Sequence, residues 1–267
     1  GLGMTHAAMG EKGAAEENLR RAIQADISYW QSFNAMGNFL FDLGRFEEAA
    51  EFYQMFVNRV DDDANALNNL GVAYYLAGDF KEAAEIWDRS LAIKPSRSAY
   101  SNTGTMYFYL GDFERAIERY VNAANLAPND YRMWGNLGDA YHFQGLQEQV
   151  AEVAYKRAVG LGEARLEVNP GDSVVMSDVA LYYSRIGNVD KAHDLVEQAK
   201  SRGPDFMYVH YNSALIHLQL GEVDEALAAL ERAVELSYER ELLRRDPALK
   251  GLHEDERFRQ LVSNNSS

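Results

Sequence analysis

Cysteine is absent from the 267 residues, so disulfides, thiolate zinc sites and cysteine nucleophiles are excluded. Long apolar runs are absent as well. No stretch approaches the roughly 18 consecutive apolar residues of a membrane span, and the first residues do not carry the basic-then-apolar pattern of a signal peptide. The sequence predicts a soluble chain whose compartment stays open, with the cytoplasm favoured. Positive charge is scarce. Lys and Arg number 26 against 41 Asp and Glu, a formal charge of −15. That balance argues against a nucleic-acid backbone or an anionic membrane as main partner and leaves a neutral or basic one easier to accommodate.

What the chain does have is repetition. Variants of residues 70 to 95, LGVAYYLAGDFKEAAEIWDRSLAIKP, return along most of the sequence at a fixed interval. Two helices are legible in this stretch. Leu67, Leu70, Gly71 and Tyr74 fall at spacings of three and four and form one apolar stripe. Gly78 stops that helix, because glycine takes the left-handed conformation without steric cost. Asp79 follows as an expected N-cap with Glu82 three residues on, close to a capping box. Ala83, Ile86, Trp87 and Ser90 line the inner side of the second helix, and Pro95 ends the unit.

The stop glycine recurs at Gly10, Gly44, Gly78, Gly111, Gly145, Gly187 and Gly221, at intervals of 34, 34, 33, 34, 42 and 34 residues. Seven positions earlier stands a small residue: Gly3, Gly37, Gly71, Gly104, Gly138, Ala180 and Ala214. Five positions later stands an alanine in six of the seven cases, Ala15, Ala49, Ala83, Ala116, Ala192 and Ala226. Trp134, Leu137, Gly138 and Tyr141, with Ala116, Tyr120, Ala123 and Pro128, resemble the two halves of the tetratricopeptide repeat. The resemblance covers roughly residues 1 to 240. It implies an all-α fold, a right-handed superhelical solenoid of antiparallel helix pairs, with the first helix of each pair on the concave side. It also implies a binding architecture without saying what is bound.

In chain order, Gly1 stands partway into a first helix, about a third of which is missing if Gly10 is a stop glycine. Either Gly1 to Gly3 are a tag remnant before Met4 or the chain is cut from a longer protein. The second is favoured because a natural array begins with a whole cap. Regular units run from Trp30 to Asp63, Ala64 to Ser96 and Arg97 to Asp130. The irregular fifth unit, residues 131–172, reaches Pro170 eight residues late. Leu146 to Val168 reads as one lengthened helix with Val150, Val153, Ala154, Ala158, Leu161 and Leu166 along it, weakened by Gly160 and Gly162. It is either a longer helix projecting beyond the stack or a hinge or docking feature. Units six and seven, Ser173 to Phe206 and Met207 to about Arg240, complete the array over residues 1–240. Residues 241–262 form the expected helical cap, with Leu249, Leu252, Phe258, Leu261 and Val262 covering the last repeat. Residues 263–267, SNNSS, are expected to be disordered. The segment LLRRDPALKGLHEDERFRQLV also resembles the ending of many bacterial repeat arrays that follow a kinase, cyclase or transcription-regulator module.

Two recurrences lie on the stripe of the first helices opposite the packing side. Asparagine stands two residues before the packing small residue as Asn69, Asn102, Asn136 and Asn212, with Asn34, Asn38 and Asn68 nearby. An amide offers both donor and acceptor, so a row of them can satisfy an extended peptide backbone. This is similar to the asparagine ladder of the O-linked N-acetylglucosamine transferase superhelix, although Ala35 and Asp178 interrupt it here. The other reading is that these amides bond neighbouring helices. Phe41, Tyr75, Phe108 and His142 share one position in four successive units, where they either offer a ligand contact area or pack between helices. With Asp139, these residues make up the candidate groove.

The cations with which chaperone-adaptor members of the family grip a terminal carboxylate are replaced by Asn34, Asn38, Asn69, Ser98 and Asn102, which counts against chaperone-tail binding. Asp139 and His142 could form an acid–base pair, but no nucleophile or phosphate loop accompanies them, so no catalytic residue and no cofactor is expected. His210 and His217 read as core histidines rather than metal ligands, and Asp61 to Asp63 as solvated turn and cap. The sequence thus predicts a non-enzymatic scaffold for a protein or peptide, an extended segment or partner helix. The alternative is a self-assembling arm, possible as a homo-oligomer, or a regulatory module of a larger bacterial protein.

Overall fold

A computed structural model of the chain describes residues 12–26, 28–60 and 63–263. The expectations for the truncated first repeat (Gly3, Met4 and Gly10), for Asp61 and Asp62, and for the tail beyond Ser263 lie outside them. Among the described residues all regular structure is helical: α1 (Lys12–Ala25), α2 (Gln31–Asp42), α3 (Phe46–Val57), α4 (Ala64–Ala77), α5 (Phe80–Ile93), α6 (Arg97–Tyr109), α7 (Phe113–Leu126), α8 (Tyr131–Gln144), α9 (Glu148–Val168), α10 (Ser173–Arg185), α11 (Val189–Arg202), α12 (Met207–Gln219), α13 (Val223–Glu235), α14 (Arg240–Arg245), a 3₁₀ helix (Pro247–Leu252) and α15 (Glu256–Ser263). The chain divides into two compact units, one ending at Met106 and one beginning at Tyr107, so the division falls inside α6.

The three sequence registers each have a physical cause. All six described stop glycines hold φ between +73° and +85°, the left-handed region. The packing glycines sit under aromatic rings. A Cβ on Gly71 would lie 2.4 Å from Trp87 Nε1, and one on Gly138 would lie 2.6 Å from Tyr155. The recurrent alanines 15, 49, 83, 116, 192 and 226 are all fully buried, the small residues on which helices pack closely.

In the first unit Leu19, Phe33, Met36, Leu40, Tyr53, Phe56, Leu67 and Leu70 form one continuous core. In the second unit the core runs from Tyr131 through Tyr155, Val179, Tyr182, Val196, Ile216 and Leu230 to Leu243, Leu249, Leu252, Phe258 and Val262. The last five belong to α14, the 3₁₀ helix and α15. Arg244 ties this ending together by donating to Val262 O at 2.8 Å, and Arg240 donates to Leu261 O at 2.9 Å.

The fifth unit departs from the expected apolar stripe. Its helix α9 is continuous over Glu148–Val168, but it starts three residues after Gly145, whereas the other second helices start two after their glycines. The extra turn residue moves the inward register by one. Ala151 and Tyr155 take the places that Ala116 and Tyr120 hold in the preceding unit, and Val150 and Val153 face solvent, 40% and 67% exposed. Gly162 is required where α9 passes α10, since a Cβ there would stand 2.4 Å from Val179 Cγ2.

Candidate protein-binding faces

In the first unit the asparagine stripe divides into two kinds of residue. Asn38, partly buried on α2, accepts a hydrogen bond from the Tyr53 hydroxyl at 2.7 Å, and burial pushes the Tyr53 phenol up to about 12. Asn34 is partly buried too, and its Oδ1 lies out of solvent with no partner. Farther along, Asn68 and Asn69 on α4 and Asn102 on α6 are exposed. No described residue hydrogen-bonds their side-chain amides. Phe41 and Tyr75 do not extend this exposed row. Phe41 meets Phe46 edge-on at 5.3 Å, and Tyr75 stacks on Phe80 at 5.8 Å.

The second unit repeats that aromatic contact, with Phe108 edge-on to Phe113 at 5.6 Å. In all three hairpins the ring in the last turn of the first helix touches the first ring of the second, five residues on. That partner was legible in the sequence, because an aromatic follows each of these stop glycines by two residues: Phe46, Phe80 and Phe113. The fourth hairpin has Gln147 at that place. His142 turns instead to Phe143, at 5.0 Å, and its Nδ1 lies 3.1 Å from the Glu148 carboxylate.

The remaining predicted residues of this unit have different fates. Asn136 is partly exposed, and no described residue bonds its amide. Asp139 accepts from the Tyr155 hydroxyl at 2.7 Å and faces Arg185 Nε at 3.5 Å. Burial pushes the Tyr155 phenol well above its ordinary value, so it stays a donor. Asn212 holds the same repeat position as Asn69 but is buried, and its Nδ2 donates to Ser177 Oγ at 3.1 Å and to Asp178 Oδ1 at 2.8 Å. Asp178 also accepts from the Tyr131 hydroxyl at 2.8 Å, and burial raises its carboxyl above the usual range. Here the amide ties one helix to the next rather than facing outward. Residues that the stripe did not single out complete the picture: Tyr211 donates to the buried Asp246, and Tyr238 stacks on Tyr211 at 4.7 Å.

His210 and His217 are buried, each with its own partner, Pro204 O at 2.8 Å and Glu222 at 2.7 Å. Among the described residues no group of His, Asp and Glu gathers as a metal site, and no helix is long and apolar enough to cross a membrane.

The model of a family described as the cilia and flagella-associated protein 70 C-terminal domain, a tetratricopeptide array, matches residues 2–249. The chain belongs to this family. Among curated proteins, FlbA of Caulobacter vibrioides is 23% identical over 166 residues, which is 62% of this chain and 26% of FlbA. The chain thus spans about a quarter of the length of the curated relative it matches. Among solved structures, a tetratricopeptide repeat protein from Parabacteroides merdae superimposes over 98% of this chain and 96% of its own, with TM-score 0.68 at 16% identity. TTC0263 of Thermus thermophilus matches over 70% of this chain and 99% of its own, with TM-score 0.52 at 23% identity. These structures share the fold of the tetratricopeptide family member described here, a stack of antiparallel helix pairs within each unit.

Proposed function

We propose that this chain is a protein-interaction scaffold that holds an extended peptide or a partner helix against the exposed faces of its first helices, with no catalytic step. The supporting observation is the set of free amides at Asn68, Asn69 and Asn102, exposed on α4 and α6 and bonded to no described residue. A side chain that can donate and accept satisfies a backbone irrespective of the ligand's sequence. The formal charge of −15 favours a neutral or basic partner. Asp139 and His142, the pair that could have served as acid and base, each have other partners, Tyr155 and Arg185 for Asp139 and Glu148 for His142.

The test is capture from the native host's lysate by the chain and by the variant carrying Asn68→Ala, Asn69→Ala and Asn102→Ala, with mass spectrometry of what each retains. A partner retained by the first and lost by the second, at an unchanged thermal midpoint, is the expected result. Equal retention by both would remove the asparagine faces from the account.

A further inference from the structure

Within the second unit the last turns of α8, α10 and α12, together with Ala248 of the 3₁₀ helix, enclose a partly open cavity of about 270 Å³. It is lined by His142, Phe143, Arg185, Leu215, Leu218 and Gln219. A water molecule takes about 30 Å³, so a leucine-sized group fits with room for its polar atoms.

Arg185 is the residue that needs an account. Its side chain is only 10% exposed, its Nε is buried, and no described residue accepts a hydrogen bond from it. Its neighbours are the Asp139 carboxylate, an ion pair whose 3.5 Å separation is longer than a hydrogen bond, and the Phe143 ring at 5.6 Å. A guanidinium is a fork of N–H donors, and a buried donor without an acceptor is costly enough that native structures rarely keep one. The cavity's other polar groups do not relieve it. Gln219 spends its amide on Ser184, accepting from Oγ at 2.9 Å and donating to the carbonyl at 2.6 Å. His142 turns its Nδ1 to Glu148.

Charge then selects what can enter. Asp139 already offsets the guanidinium, and the buried Asp246 acts on it as well. The three helices end at the cavity, so their carbonyl ends add partial negative charge. An incoming anion would meet this surplus, whereas an uncharged carbonyl oxygen takes the free N–H groups without adding charge. Phe143, Leu215, Leu218 and Ala248 provide an apolar wall for whatever carries it.

We propose that this cavity binds an uncharged amide carbonyl borne on a small apolar group, its oxygen accepting from the Arg185 guanidinium and its apolar part lying against Leu215 and Leu218. That chemistry can come from an apolar residue within a partner's main chain or from a free small amide. The cavity shares no residue with the asparagine faces, so either reading can fail without the other.

The experiment is a titration of the full chain, followed by NMR at the Arg185 Nε–H resonance. The probes are N-acetyl-leucine methylamide, N-acetyl-leucine as its carboxylate, and a pentapeptide blocked at both ends with one central leucine among glycines. The methylamide should shift the resonance and saturate, and the carboxylate should bind at least about tenfold more weakly. Tighter binding of the blocked peptide than of the methylamide identifies a polypeptide as the source; equal affinity identifies a free amide. Ala248→Leu, which fills the cavity and leaves Arg185 in place, should abolish the shift. Arg185→Lys, which keeps the charge and loses the fork, should weaken methylamide binding at least about tenfold, read from the leucine methyl signals of the probe. A carboxylate that binds as well as the amide, a resonance that no probe moves, or variants that bind like the native chain would each overturn the assignment.

Discussion

Glycines 44, 71 and 160 differ in surroundings, so one substitution has three expected outcomes. Gly71→Ala places a methyl group 2.4 Å from Trp87 Nε1 in a packed core, and we expect a loss of about 1–3 kcal/mol. Gly44→Ala meets no atom within 4 Å but must hold φ +75°, which costs about 1–2 kcal/mol. Gly160→Ala, in open space on a continuous helix, should stabilise by about 0.5–1 kcal/mol. Denaturant midpoints of the three variants check the order. Asp246 offers a second test at this scale. Burial raises its carboxyl from 3.8 to about 6, against the opposing hydrogen bonds from Tyr211 and the Ala248 amide. Because the folded value is the higher one, its contribution to stability is complete below the unfolded value and is lost as pH rises through about 6. The loss is on the order of 3 kcal/mol. Asp246→Asn should therefore flatten the decline in thermal midpoint between pH 4.5 and pH 7.5. A slope equal to that of the native chain would mean that Asp246 is not buried as described.

Among the elements, the helices and their stops were legible because every unit reuses one close crossing, and that crossing admits only glycine or alanine at fixed places. The fates of the polar stripe were less legible, since they depend on which side chain the previous repeat presents. Asn212 is consumed because Asp178, at the equivalent position one unit earlier, is a partly buried carboxylate that accepts from it at 2.8 Å; Asn69 follows Ala35, which has no acceptor, and Asn102 follows Asn69, an exposed amide that does not reach it. A pairwise reading of equivalent positions separates Asn212 from Asn69 but not from Asn102, whose fate depends on burial. Reading each helix alone does not. The extra residue after Gly145 was also present in the spacing, yet its effect on α9 shows only once Ala151, rather than Val150, is seen to be buried. The ending of the second unit gives the prediction at this scale. Leu243, Leu249, Leu252, Phe258 and Val262 are each at most 6% exposed against that unit's core. Fully burying side chains of this kind is worth about 1.5–3 kcal/mol apiece. A chain ending at Glu239 should therefore melt earlier and bind a hydrophobic dye such as ANS; an unchanged midpoint would show that these elements contribute little.

For the whole molecule, the exposed asparagines of α4 and α6 are polar surface that the fold does not use. With a formal charge of −15, the proposed partner is a polypeptide that is neutral or basic. If it is basic, its association rate should fall as salt is raised, which stopped-flow mixing at several ionic strengths would measure. The exposed asparagines of the first helices are proposed to hold that partner. The most direct measurement is a binding isotherm of the captured partner against the native chain and against the variant carrying Asn68→Ala, Asn69→Ala and Asn102→Ala. With about 1 kcal/mol for each amide contact, the account predicts a loss of about a hundredfold in affinity. The thermal midpoint should hardly move, because exposed surface substitutions change stability by only about 0.5 kcal/mol. Equal affinities, or a loss matched by an equal loss of folded stability, would contradict it.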